Sequence, residues 1–247
     1  MSMNSKNKIL FIKDWIFQYV NSMPNPAQSL IIGISGGIDS SVSSTLSAMT
    51  GLKTIVLSMP IKQKALQYDL SLKHQKWLVK NFENVEAHTV NLDKLFKTFE
   101  SSLLKFDSEL GMANSRARLR MTTLYQVAAA NKGIVVGTGN KVEDFGVGFY
   151  TKYGDGGVDI SPIADCNKTE VWEIGRELNI LQEIIDATPT DGLWDDGRTD
   201  EGQLGLKYKE LEEAMNNTNS PNREKYEKIR KMNLHKMEPI PVCKIPN

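Results

Sequence analysis

The sequence predicts a doubly wound α/β fold, in which a mostly parallel sheet carries helices on both faces. Short apolar runs rich in β-branched residues alternate along the chain with longer stretches of helical periodicity. The first apolar run ends in a glycine-rich turn that opens a helical stretch, an order that is typical of parallel strand-helix-strand units. Hydrophobic residues make up 40% of the 247 residues, which is enough for a sizeable core. We therefore expect one domain over residues 1–247.

The first half of the chain contains most of the predicted elements. Four apolar residues at helical spacing, from Ile9 to Val20, predict an amphipathic first helix, and Pro24 and Pro26 end it. Runs such as Thr54 to Leu57 are short, apolar and β-branched, and therefore predict buried strands. In this way we predict strands at 29–34, 54–57, 85–90 and 134–137, and helices at 39–49, 66–82, 92–106 and from 115 to Gly133.

The second half changes character after Gly137. The 26 residues from Gly137 carry seven glycines and few helical signals, which predicts loop and short strand. A helix restarts near Asn167, three residues before Glu170 in the spacing of a capping box, and runs to Leu178. Residues 189–205 are acidic and glycine-rich, and so long a loop is either functional or disordered. The last predicted helix covers about residues 223–232 and ends near His235 and Lys236.

Composition excludes several classes of protein. Lys and Arg number 30, and so do Asp and Glu, so the net charge of zero gives no general attraction to nucleic acid or anionic lipid. The two cysteines, Cys166 and Cys243, lack the spacing of a zinc site, a redox motif or a disulfide framework. No stretch approaches the ~20 apolar residues of a membrane span. We expect a cytoplasmic protein that binds neither nucleic acid nor membrane.

Residues 33–41 read GISGGIDSS and follow the first predicted strand directly. Glycines that open a helix present unpaired N–H groups and the positive end of the helix dipole, which suits a phosphate. The lysine of a Walker A loop and the spacing of a dinucleotide-binding GxGxxG motif are both missing. Asp39 would repel phosphate unless a cation lay between them, so it indicates Mg²⁺. The alternative, a plain turn with Asp39 favoured by the dipole, is equally compatible with this stretch alone.

The motif SGGIDS resembles the SGGxDS pattern of the PP-loop ATP pyrophosphatases, which cleave ATP between the α and β phosphates and activate a substrate as its adenylate. Downstream blocks resemble NAD synthetases in order. These are residues 115–121 (SRARLRM), 137–141 with Glu143, 150–157 (YTKYGDGG) with Asp159 and Pro162, Lys168 with Thr169, Pro189 with Thr190, Leu193 with Trp194, 200–205, and His235 with Lys236. The resemblance covers the chain from the glycine turn to the C-terminus.

The resemblance implies a homodimeric ligase of the adenine nucleotide alpha-hydrolase-like fold. Such an enzyme joins ammonia to deamido-NAD through an acyl adenylate, while ATP becomes AMP and pyrophosphate, as the last step of NAD biosynthesis. The chain has no room for the amidohydrolase-like domain of glutamine-dependent members, so we expect ammonia or a separate donor. Two alternatives stay open: another adenylating PP-loop ligase, such as a GMP synthetase-like core, and a nucleotide-binding module without turnover.

The resemblance also implies residue roles. The expected ATP contacts are Gly33, Ile34, Ser35, Gly36, Gly37, Ile38, Asp39, Ser40, Thr138, Lys168 and Thr190. The expected deamido-NAD contacts are Arg118, Lys152, Asp159, His235 and Lys236. Asp39 and Glu143 are the expected Mg²⁺ ligands, Lys168 offsets phosphate charge, and Asp155 holds ammonium or accepts its proton.

Each role has a simpler alternative. Without the resemblance, Glu143 reads as an exposed loop acid, Lys168 as a solvated first-turn residue, and Asp155 as an Asp-Gly turn residue. The arginines of residues 115–121 equally suit a solvated helix face. Residues 189–205 are predicted to be a lid over ATP, with residues 191–203 disordered without ligand and ordered with ATP.

Overall fold

A parallel four-stranded sheet lies at the centre of the computed structural model, which describes residues 3–106, 108–194 and 196–246. The strands are β1 Ser29–Gly33, β2 Thr54–Ser58, β3 Val85–Thr89 and β4 Gly133–Val135, in the order β3-β2-β1-β4. Ile31 pairs with Ile55 on one side and with Val135 on the other. Because the strand order changes direction between β1 and β4, their carboxyl ends open a crevice. The predicted parallel sheet is confirmed.

Helices cover both faces of this sheet, as predicted. They are α1 Ser5–Ser22, α2 Ile38–Ala48, α3 Ala65–Asn81, α4 Asp93–Ser102, α5 Glu109–Ala130, α6 Lys168–Glu177, α7 Gln182–Ile185, α8 Asp200–Leu204, α9 Tyr208–Asn216 and α10 Arg223–Met237. Successive strand residues point to opposite faces, so Leu30 and Ile32 join one buried cluster with α1, α2 and α6, while Ile31 joins another with α4 and α5. None of the described helices has the length and apolar content needed to cross a membrane.

Two predicted boundaries and one predicted element type differ from the structure. The helix α5 begins at Glu109 instead of 115, because the Ser108 side chain accepts a hydrogen bond from the N–H of Gly111 and caps it. The stretch predicted as helix to residue 106 breaks after Ser102 and continues as a 3₁₀-helix, Leu104–Phe106. The glycine-rich segment predicted as loop and short strand contains a π-helix, Lys141–Val147, which the Asn140 side chain caps.

A third buried cluster joins this π-helix to the C-terminal helices. It contains Val142 and Val147 of the π-helix and Leu204, Leu206, Tyr208, Leu211, Ala214 and Tyr226 of the later segments. The packing fixes the π-helix against α8, α9 and α10. Glu143 is thereby held at the edge of the crevice between β1 and β4.

Candidate active site

The glycine turn between β1 and α2 forms a rigid cradle. Gly36 has a φ of +93°, and a Cβ at this position would lie 2.5 Å from the carbonyl oxygen of Gln67. Only glycine fits there. Inside the turn, the Ser40 hydroxyl accepts the N–H of Ser35 at 3.2 Å and donates to the carbonyl of Gly37 at 3.0 Å. The helix dipole and N–H groups at the start of α2 therefore face a preformed opening suited to an anion.

A cavity of about 270 Å³ lies above this turn, at the carboxyl edge of the sheet. Every residue that the sequence predicts to contact ATP lines it, as do Glu143 and Asp155. The five predicted deamido-NAD residues do not line it. The structure thus gathers the predicted ATP and metal residues in one place and puts the predicted acceptor contacts elsewhere.

The cavity contains a buried cation that lies between two carboxylates. Lys168 is 1% exposed, and its Nζ lies 2.6 Å from Asp39 Oδ2 and 2.9 Å from Glu143 Oε1. The ring of Tyr208 lies 4.9 Å from the same Nζ. Burial disfavours the charge, but the two acids outweigh it and raise the pKa of Lys168, so the side chain stays protonated. The solvated alternatives for Lys168 and Glu143 are therefore wrong.

The two acids differ in their surroundings. Burial raises the pKa of Asp39, and Lys168 offsets this only in part. Burial acts on Glu143 in the same direction, but the charge of Lys168 and the hydrogen bonds from Lys168 and Tyr208 outweigh it and lower the pKa. The Tyr208 hydroxyl donates to Glu143 Oε1 at 2.5 Å and lies 3.3 Å from Asp200 Oδ2. Glu143 is thus the acid that is held as a carboxylate.

This pair suits the magnesium ion that the sequence predicts. Magnesium in nucleotide sites is held by one or two carboxylates together with substrate phosphates, which matches two carboxylates beside a phosphate cradle. The placement of the Lys168 ammonium between Asp39 and Glu143 indicates that this point of the cavity favours positive charge. Among the described residues no cluster of three or more His, Cys, Asp or Glu side chains is arranged for a metal, so phosphate oxygens would have to complete the coordination.

A second acidic region lies at the Asp155 end of the cavity. The Asp155 carboxylate is open to the cavity and accepts the N–H of Thr151 at 3.0 Å, while burial raises its pKa to about 6. Asp144 lines the same cavity, and burial followed by the charge of Asp155 raises its pKa well above the usual range. Lys236 acts against both, since its charge lowers the pKa of each acid. Two carboxyl groups and the charge of Lys236 therefore act together at this end of the cavity.

Three of the five predicted acceptor contacts, Arg118, Lys152 and Asp159, lie beside a second groove, which is lined partly by α5. Arg118 Nε donates to the carbonyl of Lys152 at 3.2 Å, and Tyr125 donates to Asp159 at 3.1 Å. The groove is lined by Met121, Thr122, Tyr125, Gln126, Tyr153 and Gly157. Met121 also lines the main cavity, so the two openings share a wall. His235 is exposed, whereas the Lys236 Nζ donates to the carbonyl of Tyr150 at 2.6 Å.

The segment predicted as a lid covers one side of the cavity. Asp191 holds it together, because its carboxylate accepts hydrogen bonds from the Leu193 N–H and from the side chains of Trp194 and Gln203, at 3.0 to 3.1 Å. The N–H of Asp200 donates to the carbonyl of Pro189 at 3.1 Å, which ties the two ends of the segment together. Asp195, one of the acids on which the lid prediction rests, lies outside the described residues.

Comparison with known proteins decides the family. A model of the NAD synthase family matches residues 8–245. An NH3-dependent NAD(+) synthetase of Carboxydothermus hydrogenoformans is 36% identical over 217 aligned residues, covering 86% of each chain. A protein of the same name from Alkaliphilus oremlandii is 33% identical over 99% of this chain and 100% of its own.

This chain belongs to the NAD synthase family. Its fold agrees with that of a solved structure, the NMN synthetase from Francisella tularensis, with a TM-score of 0.88, 30% sequence identity and 100% of both chains covered. As a member of the NAD synthase family the chain is a ligase. The resemblance read from the sequence blocks is thereby confirmed at the level of family, fold and enzyme class.

Four cavity residues of this NAD synthase family member were not predicted from its sequence as site residues. Arg120, Asp144, Asp191 and Asp200 all line the cavity. Burial raises the pKa of Asp200 to about 7, and its Oδ1 is buried without a hydrogen-bond partner in the described part of the chain. Asp144 is next to Glu143, and Arg120 and Asp200 lie inside the blocks 115–121 and 200–205 that carry the resemblance. These neighbourhoods were the available signal in the sequence.

Proposed function

We propose that the cavity at the carboxyl edge of the sheet is the active site in which deamido-NAD is amidated. The chain is an ATP-dependent ligase that joins ammonia to deamido-NAD and forms NAD. The observation that carries this function is the meeting in one cavity of a glycine-rich anion cradle, a Lys168 ammonium held by Asp39 and Glu143, and the acidic end at Asp155.

The glycine turn and Lys168 bind the phosphates of ATP. Backbone N–H groups at the start of α2 and the hydroxyls of Ser35 and Ser40 face the cavity and donate to phosphate oxygens. Asp39 and Glu143 would hold Mg²⁺, which would neutralise charge on the phosphates. Lys168 remains protonated and adds a second positive charge beside the bond that breaks between the α and β phosphates.

The acceptor carboxylate attacks the α phosphate, so a carboxyl oxygen bonds to phosphorus and pyrophosphate leaves. Ammonia then attacks the carbonyl carbon of the acyl adenylate and AMP leaves with the bonding electron pair. Asp155 accepts the proton that ammonium must lose before it becomes a nucleophile, which its pKa of about 6 allows at neutral pH. The lid of residues 189–205 keeps water from the adenylate.

The groove on α5 binds the remainder of deamido-NAD. Asp159 is hydrogen-bonded to Tyr125 of its lining, Lys152 precedes Tyr153 of its lining and accepts a hydrogen bond from Arg118, and Met121 lines both this groove and the ATP cavity. An arginine and a lysine supply the charge for a pyrophosphate, and Asp159 supplies acceptors for ribose hydroxyls. His235 and Lys236 remain proposed contacts, with Lys236 placed at the Asp144 and Asp155 end.

A second candidate acceptor is favoured by one observation. The structural relative that covers 100% of both chains at a TM-score of 0.88 is named an NMN synthetase. NMN is the half of NAD that carries the nicotinamide, and its acid form presents the same carboxylate for adenylation. The candidate reaction is therefore the amidation of the mononucleotide in the same cavity.

The experiment that tests the function supplies ATP, Mg²⁺, one nitrogen donor and one acceptor. The acceptors are deamido-NAD and nicotinate mononucleotide, and the donors are ammonium and glutamine. We expect NAD and pyrophosphate from deamido-NAD with ammonium, and less product with glutamine. A higher kcat/KM for the mononucleotide assigns the second candidate reaction, and no product from either acceptor overturns both.

We further propose that the enzyme is a single domain, acts as a homodimer and works in the cytoplasm. The family match over residues 8–245 supports one domain. Both cysteines are free, Cys166 buried and Cys243 exposed, as is usual in reducing compartments. Exposed large hydrophobic side chains along α5, described below, support the dimer.

A further inference from the structure

The guanidinium of Arg120 is fixed at the wall of the ATP cavity. Its Nε donates to the carbonyl of Met59 at 3.0 Å, and its Nη2 donates to Gln63 Oε1 at 3.1 Å. Both acceptors belong to the segment that follows β2, at the carboxyl edge of the sheet. Two neutral acceptors therefore set the orientation of the charged group and leave further N–H donors for the cavity.

Arg120 differs from the other cation of the cavity in its partners. Among the lining residues that the structure describes, six are acids and only Lys168 and Arg120 are cations. Lys168 is ion-paired to two carboxylates, whereas in the described ranges Arg120 has no carboxylate within ion-pair distance. Burial, followed by the charge of Arg116, lowers the pKa of Arg120 to about 10, which still leaves it protonated at neutral pH. A guanidinium that no carboxylate of the described residues contacts directly leaves its free N–H donors available to an anion in the cavity.

Two anions enter this cavity, and the placement of Arg120 discriminates between them. The proposed binding groups for the ATP phosphates are the glycine turn and Lys168. Arg120 lies on α5, and the turn that carries Asp155 packs against the same helix, since a Cβ on Gly154 would lie 2.8 Å from the Cβ of Ala117. Asp155 is also the first of the acids whose charge raises the pKa of Arg120. Asp155 is also the proposed acceptor of the ammonium proton, so the carbonyl carbon that ammonia attacks must come close to it.

We infer that Arg120 binds the carboxylate of the acceptor and orients it for attack on the α phosphate. This inference rests on the proposed function and adds a binding residue to it. A guanidinium presents parallel N–H donors that match the two oxygens of a carboxylate. The amide of the product offers one oxygen and an NH₂ group that repels those donors. Arg120 therefore distinguishes substrate from product and helps the amide to leave.

The test compares binding of deamido-NAD with binding of NAD, since the two differ only in carboxylate against amide. Without ATP no reaction occurs, so isothermal titration calorimetry gives both dissociation constants for the wild-type enzyme and for Arg120→Gln. We expect the preference of the wild type for deamido-NAD over NAD to fall by about 10- to 100-fold in the variant. Affinity for the α,β-methylene analogue of ATP should change by less than about threefold, because the phosphates bind elsewhere.

Two further variants sharpen the result. Arg118→Gln changes an exposed arginine of the same helix on the groove side, and it should weaken deamido-NAD and NAD alike, leaving their ratio unchanged. Arg120→Lys keeps the charge without the fork, should show an intermediate ratio, and serves as the test if Arg120→Gln does not fold. An unchanged ratio in a folded Arg120 variant, or a large loss of affinity for the ATP analogue alone, overturns the inference.

Failure of this inference is distinct from failure of the proposed function. If the wild type forms no NAD from ammonium, the function is wrong. If it forms NAD but the Arg120 variants keep the carboxylate preference, only the role of Arg120 is wrong. For a mononucleotide-specific enzyme the same comparison uses nicotinate mononucleotide and NMN.

Discussion

At the scale of single residues, Lys168 shows how a charge is kept inside a protein. Its ammonium is almost fully buried, yet the carboxylates of Asp39 and Glu143 lie within 2.9 Å and the ring of Tyr208 lies beneath it. Breaking such a buried pair leaves an uncompensated charge, which costs more than the pair itself contributes. The same three groups form the proposed Mg²⁺ and phosphate site, so stability and activity are coupled there.

Replacing Lys168 by Gln should therefore lower both the stability and the activity of the protein. We expect the free energy of unfolding, measured with urea, to fall by about 3–5 kcal/mol because two buried carboxylates lose their cation. Added Mg²⁺ should restore part of this loss, and NAD formation should drop by about 100-fold or more. Lys141→Gln is the matched control, since Lys141 pairs with the exposed Asp165 and its loss should cost at most about 1 kcal/mol. Equal stability of the two variants would contradict the charge argument.

The protonation state of Asp155 should make the amide-forming step depend on pH. Because burial raises its pKa to about 6, the carboxylate is deprotonated above that pH and protonated below it, so the amide-forming step should slow as pH falls through 6. The rate must be compared at a constant concentration of neutral ammonia, since ammonia itself titrates. Asp155→Asn should remove this acidic limb and reduce NAD formation by about 100-fold or more, with ATP–pyrophosphate exchange retained.

Asp165→Asn is the control for this pH experiment, because Asp165 is almost fully exposed and does not line the cavity. It should keep the wild-type pH profile. In Asp155→Asn the amide oxygen of the new side chain can still accept the Thr151 N–H, so the loop that holds it should stay folded. Loss of pyrophosphate exchange in Asp155→Asn would assign the residue to adenylation instead of ammonia activation.

Sequence indicated one part of this site and not the other. The glycine turn and its Asp39 stand next to each other in sequence and could be recognised as a candidate phosphate site, and the resemblance of SGGIDS to the PP-loop pattern favoured that site over a plain turn. Arg118 and Arg120 carry the same side chain two positions apart on one helix. Only packing shows that Arg118 is exposed while Arg120 lies against Met59 and Gln63. Contacts between segments that are far apart in the chain cannot be predicted from a local sequence pattern.

At the scale of elements, the π-helix Lys141–Val147 shows the same limit. Its glycines argued against a helix, since glycine is a poor helix former. The Asn140 cap and the burial of Val142 and Val147 against α9 and α10 stabilise it nevertheless. Tertiary packing overrides the local preference, and Glu143 reaches the cavity as a consequence. By contrast, the four strands have strong local signals and were predicted to within two residues.

The lid of residues 189–205 should depend on the hydrogen bonds of Asp191. Asp191→Ala removes the acceptor of three hydrogen bonds within the segment, so the lid should open and let water reach the adenylate. We expect the ratio of AMP to NAD produced, measured by liquid chromatography, to rise from about 1 to about 3 or more. Limited proteolysis with and without ATP and Mg²⁺ would test the predicted ordering of residues 191–203.

Asp196→Ala provides the control in the same loop. Asp196 forms an exposed ion pair with Arg198, and surface pairs of this kind contribute about 0–1 kcal/mol. The ratio of AMP to NAD should stay near that of the wild type. If Asp196→Ala raises the ratio of AMP to NAD as much as Asp191→Ala does, the hydrogen bonds of Asp191 are not what keeps the lid closed.

At the scale of the whole molecule, the 3₁₀-helix and the first turn of α5 expose three large apolar side chains close together in sequence. Leu104 and Phe106 of the 3₁₀-helix are 78% and 75% exposed, and Leu110 in the first turn of α5 is 60% exposed. Tyr125, farther along α5, and Tyr153 are also exposed and line the groove that we assign to deamido-NAD. Exposed apolar side chains grouped in this way mark interaction sites, and their place on the helix that lines the substrate groove favours a second copy of the chain as the occupant.

Leu110→Glu should therefore dissociate the proposed dimer. A charge at the centre of an apolar interface is costly to bury, so sedimentation velocity should show the wild type near twice the 27.7 kDa of one chain and the variant near that mass. Because the position is exposed, the unfolding free energy of the variant should change by only about 0.5 kcal/mol. The KM for deamido-NAD should rise as the groove loses its neighbour, while affinity for the ATP analogue stays unchanged. The control is Phe11→Glu, which alters an aromatic side chain on α1 that is as exposed as Leu110. It should leave both the mass and the KM as in the wild type. A monomeric wild type, or dissociation by Phe11→Glu instead of Leu110→Glu, would place the interface elsewhere.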